Sequence, residues 1–145
     1  MATGYSTKTG SGRTAHERFQ GSYKLITYIT QVEGDSPQNA AWQNGRIIYS
    51  GNRMCACFMT TEYGQEKDQP VAGYSGAFSI DEEKGTVTHE VDIVACAPTI
   101  SAVYPGSSQL RVFEFSDDDK VLRLIAEMDG PGGKKTTHTL TWHRE

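Results

Sequence analysis

Three residues of this chain have the types and positions to do chemistry: His89, Arg111 and Tyr74. Each stands in a segment that alternates apolar and polar residues with period two, the pattern of a strand with one buried face. His89 interrupts the apolar row of Val87, Val91 and Ile93. Arg111 shares a row with Gln109, Phe113 and Phe115, and Tyr74 heads the row of Gly76, Phe78 and Ile80. An inward imidazole can take or give a proton near neutral pH. An inward guanidinium must be paired or meet an anion, because a lone buried charge is strongly unfavourable. Arg111 can therefore hold a carboxylate, enolate or carbonyl oxygen, with Tyr74 as a phenolic acid or oxyanion donor. Each also has a structural alternative: a histidine bonded to a neighbouring strand, an arginine on strand carbonyls and water, a tyrosine that packs.

His138 has the same phase on the last strand as His89 on its own, and Phe78, Phe113 and Trp142 supply apolar surface that would shape a ligand. Glu90, Asp92 and Glu114 fall on outward rows, so the facing carboxylates of a glycosidase are missing from the inner face. The chain contains no Gly-rich phosphate loop, nucleophile elbow or His-X-X-X-His pair, and neither a metal nor a cofactor is expected. Cys55, Cys57 and Cys96 cannot all pair within one chain. Cys55 and Cys57 share one strand face without zinc-knuckle spacing and read as small apolar residues in a reducing compartment.

These residues are positioned by a succession of short strands. The clearest is the hairpin from Gly73 to Val94, whose two arms are joined by the acidic turn Asp81-Glu82-Glu83-Lys84-Gly85. Before it come Ser22 to Thr30 and a second hairpin, Arg46 to Ser50 with Arg53 to Thr60. After it come Gln109 to Phe115, Val121 to Met128 and Thr136 to Arg144. Both faces of Ser22 to Thr30 carry apolar bulk, so the inward side of that strand, and with it the direction of Tyr28, stays open, as does that of Cys57. Residues 1–14 form a flexible arm, and one domain spans 15–145. Thr14 and Glu17 make a capping box for one helical turn. Ser36 and Pro37 predict a second short helix reaching Trp42. Charged residues 61–70 form a loop, and the passage 95–108 is a candidate rim or lid. About eight strands with almost no helix predict an all-β fold, and an antiparallel up-and-down barrel removes the edges such a sheet would expose.

The chain has 145 residues, enough for one domain and one core. Its 14 basic and 18 acidic residues give a net charge of -4, with no basic stripe for phosphates. Nucleic acid is not an expected partner. The lack of an 18-residue apolar run or a signal-like N-terminus predicts no membrane association and a cytoplasmic location. An exposed barrel strand would permit a homodimer.

Several segments together are similar to one family: Gly21-Ser-Tyr-Lys-Leu, Tyr49-Ser-Gly-Asn-Arg-Met, the stretch from Tyr74 through Phe78 to His89, Gln109-Leu-Arg-Val-Phe, and Leu140-Thr-Trp-His-Arg. In order and spacing they resemble the small lipocalin-like domain proteins, with Tyr23 where that family usually has Trp. The resemblance implies a barrel closed by pairing of the last strand with the first, with Arg144 stacked on Tyr23. Relatives in secondary-metabolite pathways include cyclases, isomerases and pericyclases. Combined with the inward rows, this predicts a cofactor-independent isomerase or cyclase acting on a hydrophobic oxygenated molecule. In that scheme His89 shuttles a proton, Arg111 and Tyr74 steady negative charge, and Phe78, Phe113, His138 and Trp142 contact the ligand. A non-catalytic binding or carrier protein is the alternative, and a barrel filled by its own side chains a third.

Overall fold

The computed structural model describes residues 12–59, 71–95 and 103–145. Most of the expected arm, the loop 61–70, the larger part of the candidate rim, and Cys96 lie outside the described residues. A single turn of helix, α1 (Ala15–Phe19), opens the described chain, and its capping box is formed as the sequence predicts, with Thr14 and Glu17 bonding each other's backbone N–H. Nine strands follow among the described residues: β1 (Gly21–Val32), β2 (Gln38–Asn39), β3 (Asn44–Ser50), β4 (Arg53–Met59), β5 (Val71–Asp81), β6 (Thr86–Ala95), β7 (Ser108–Ser116), β8 (Val121–Asp129) and β9 (Lys135–Arg144).

Eight of these form a closed antiparallel barrel. Strands β3 to β9 pair in chain order, and β1 pairs with both β3 and β9, which leaves no free edge in the ring. The two-residue β2 lies outside it, on Ile29 and Thr30 of β1. This segment was expected to be a helix. Its backbone instead bonds across to β1, with Ala40 N–H donating to the Tyr28 carbonyl at 2.9 Å, and these bonds replace the local ones a helix would make.

Two bulges set which side chains face inward. In β1 the register with β9 shifts between Leu25 and Thr27, so Ile26 is the extra residue. Tyr23 and Leu25 point inward before it and Tyr28 after it, which is why the strand carries apolar residues on both faces. In β6 the shift falls between the partners of Ser75 and Gly76. Ile93, expected in the inward row, is therefore outside and 65% exposed, with Val94 opposite Tyr74. Cys55 and Cys57 alternate with buried Ala56 and lie exposed on the outer face, so they contribute nothing to the core.

The core sits at the α1 end. Phe19 is fully buried and meets Tyr49, Phe113 and Phe115 edge-to-face at 4.9, 5.0 and 5.1 Å between ring centroids. Beside it Arg144 crosses the Tyr23 ring at 4.7 Å and donates to the Tyr23 hydroxyl at 2.6 Å. The same guanidinium donates to the carbonyls of Arg18, Gln20 and Asp119. The residue that ends β9 thus ties together the start of β1, the end of α1 and the β7–β8 turn. Gly21 has φ +129°, a backbone conformation that favours glycine, and a Cβ there would lie 2.8 Å from Arg144 Nη1, so the guanidinium would have to shift.

Among the described glycines Gly76 has the least room, since a Cβ on it would fall 1.7 Å from the Glu90 carbonyl oxygen at the β6 bulge. Gly76→Ala forces backbone to move, and the expected result is a stability loss at or above roughly 3 kcal/mol, the upper end for overpacking. Urea denaturation checks this; an unchanged midpoint would show that the bulge yields without cost.

Candidate functional site

Away from α1, the same inward rows line a cavity of about 230 Å³. Leu124, Leu140, Ile47, Phe58 and Trp142 make its apolar wall, and its polar members are Tyr28, Tyr74, His89, Gln109, Arg111 and His138. Of the sequence candidates, His89, Arg111, Tyr74, His138 and Trp142 are brought together here. Phe78 and Phe113 are not: both turn inward at the closed end, where they pack around Phe19. Phe19 lies in the short helix, where strand periodicity gives no sign that it will plug the barrel.

His89 is 1% exposed and both ring nitrogens are engaged by phenols. Tyr49 Oη lies 2.7 Å from Nε2, and Tyr74 Oη lies 2.8 Å from Nδ1. Burial, with Arg111 adding to it, pushes the His89 pKa down to about 3. The ring is neutral across the physiological range, one nitrogen donating and the other accepting. Tyr49 comes from β3 and Tyr74 from β5, so the three residues lock three strands together. Burial also raises both phenols, with Tyr49 well above the usual tyrosine value. On Tyr74 the Arg111 charge acts in the opposite direction, favouring a phenolate.

A second phenol–imidazole pair stands on the neighbouring strands β1 and β9, with Tyr28 Oη 2.9 Å from His138 Nδ1. His138 Nε2 has no hydrogen-bond partner among the described residues. Burial first and Arg111 second lower the His138 pKa, and this ring too is a neutral base. Tyr28 was left open by the sequence; the bulge at Ile26 places it on the cavity wall.

Arg111 is the charged member of this lining and forms no salt bridge among the described residues. It donates to the Leu110 carbonyl at 2.8 Å and to Gln109 Oε1 at 3.2 Å. Gln109, buried opposite His89, reaches Ser107 Oγ with its amide nitrogen at 3.3 Å. The expected outward carboxylates Glu90, Asp92 and Glu114 are indeed exposed, and among the described residues no acidic one lines the cavity. Among the described residues no cluster of His, Cys, Asp and Glu could hold a metal ion, and no helix is long and apolar enough to cross a membrane.

A closed eight-stranded antiparallel barrel around one largely apolar cavity defines the class of small-molecule-binding barrels. Residues 60–145, more than half of the chain, match the model of the lipocalin-like domain, and the chain belongs to that family. No curated protein matches it.

The neutrality of His89 has a thermodynamic consequence. Folded, the imidazole stays unprotonated down to about pH 3; unfolded, it takes a proton near its ordinary value of 6.5. Between these limits the unfolded chain binds more protons, so stability holds above pH 6.5 and falls as the pH drops through the window. The His89 contribution has a slope of roughly 1.4 kcal/mol per pH unit. Urea titrations at pH 4, 5 and 6 should show a shallower acid-side loss in His89→Gln than in the wild type; equal slopes would mean that His89 is not held neutral.

Proposed function

We propose that the cavity binds a hydrophobic small molecule through a carboxylate, enolate or carbonyl oxygen placed at Arg111, and that the protein acts on it as a cofactor-independent isomerase or cyclase. The observation that carries this is Arg111 itself, a guanidinium on an otherwise uncharged and mostly apolar wall, with no carboxylate partner among the described residues. An anion or a polarised carbonyl is the ligand group that compensates it. Apolar faces of Phe58, Leu124, Leu140 and Trp142 take the carbon skeleton.

The chemistry follows from what stands around that oxygen. Charge developing on it during enolisation is stabilised by Arg111 and Tyr74. A proton from the adjacent carbon passes to the unpartnered Nε2 of neutral His138 and returns at a second position of the same molecule. Nothing leaves and nothing is oxidised, so an isomerisation or ring closure of this kind needs no cofactor. His89, the expected shuttle, has both nitrogens occupied by phenols, and its part is to hold Tyr74. Phenols and imidazoles on opposite sides of one ligand also suit a pure binding protein, and turnover separates the two. Incubation with hydrophobic enolisable ketones should yield product in excess of protein, and Arg111→Gln should lower the rate about 100-fold. Saturable binding without product would make the protein a carrier, and unchanged turnover in Arg111→Gln would remove Arg111 from the mechanism.

A further inference from the structure

The buried triad Tyr49–His89–Tyr74 fixes more than the positions of three rings. Tyr49 is 1% exposed and takes no part in the cavity lining, and its hydroxyl bonds His89 alone among the described residues. Among the described residues its hydroxyl proton has one acceptor within reach, His89 Nε2 at 2.7 Å. The opposite arrangement, with Nε2–H donating to Tyr49, would leave the tyrosine proton buried with no acceptor among the described residues, which is unfavourable. Nε2 is therefore the accepting nitrogen. A neutral imidazole carries one proton, so it sits on Nδ1 and is donated to Tyr74 Oη at 2.8 Å. Tyr74 accepts from His89 and does not give its own proton to it. Tyr74, unlike Tyr49, lines the cavity.

We propose that Tyr74 presents its hydroxyl proton to the cavity, in a direction imposed by Tyr49 acting through the Nδ1–H form of His89. Tyr74 is then a dedicated hydrogen-bond donor beside the Arg111 guanidinium, and the two select a ligand group that is acceptor-only: a ketone, ester or carboxylate oxygen, not an amine or ammonium. Tyr49 and His89 are positioning residues that never touch the ligand oxygen. This selection rests on the binding site proposed above, whereas the proton order within the triad does not depend on any ligand.

The order is read directly from the ligand-free protein by ¹⁵N NMR of the histidine side chains. The expected spectrum shows His89 with a protonated Nδ1 and a bare Nε2. A protonated Nε2, alone or together with Nδ1, overturns the proposal. Tyr74→Phe supplies the second measurement. Tyr49 still holds Nε2 in this variant, so the Nδ1–H form should persist; a switch to Nε2–H would show that Tyr49 does not set the direction. The ligand arm uses 2-naphthoate and its uncharged alcohol, 2-naphthalenemethanol, titrated by NMR. Tyr74→Phe should weaken 2-naphthoate about tenfold, and unchanged affinity contradicts the donor role. If 2-naphthoate fails to bind the wild type, the failure belongs to the proposed ligand class, and the ¹⁵N spectrum still decides the triad.

Discussion

A single guanidinium inside the barrel governs the electrostatics of everything around it. The Arg111 charge reaches both cavity imidazoles and the phenols of Tyr28, Tyr49 and Tyr74, and among the described residues no acid on the cavity wall offsets it. It acts with burial on the histidines and against burial on the tyrosines. The outcome is a wall of neutral hydrogen-bonding groups around one cation. That cation is intelligible if a ligand oxygen completes the site.

The rest of the molecule makes that site possible by dividing each inward row between two tasks. Near α1 the rows end in Phe78, Phe113 and Phe115, which close around Phe19. Toward the other end the same strands present Tyr74 and Arg111 to the cavity, and β9 adds His138. Arg144 secures the closed end by binding three carbonyls and the Tyr23 ring. Asp119 joins the same cluster, with its carboxylate held by Arg18 at 2.8 Å and by Arg13 at 2.5 Å. Burial pushes the Tyr23 hydroxyl up to about 12 although Arg144 pulls it down, so it stays a neutral donor to the Phe19 carbonyl at 2.9 Å.

Most of the architecture is legible as alternation with turn residues between strands, because a half-buried strand repeats every two residues whatever its neighbours are. Alternation fails where a strand gains a residue. Ile26 and Asp92 are such insertions, and they explain why the phase of β1 was ambiguous and why Ile93 lies outside. A bulge is a property of two paired strands, and one strand's sequence does not carry it. The β2 segment was lost to the opposite error: Ser36-Pro37 is good helix-start chemistry, but the chain there bonds to β1. Of the site, the inward histidines and Arg111 could be picked out because charge and imidazole are conspicuous in an apolar row. Tyr49, the third member of the triad, could not, since a tyrosine in a strand gives no sign of which residue its hydroxyl will meet.

The lipocalin-like family supplies the barrel, and the barrel accommodates a small molecule; the chemistry of this site lies in the polar set within the cavity. The central claim is that an acceptor oxygen of the ligand lies at Arg111. It is tested most directly by a crystal structure of the wild-type protein with a bound hydrophobic carboxylate such as 2-naphthoate. The account predicts a carboxylate oxygen within hydrogen-bonding distance of the Arg111 guanidinium and the ring system against Leu140 and Trp142. A ligand seated with its carboxylate toward solvent, or bound outside the barrel, would contradict it.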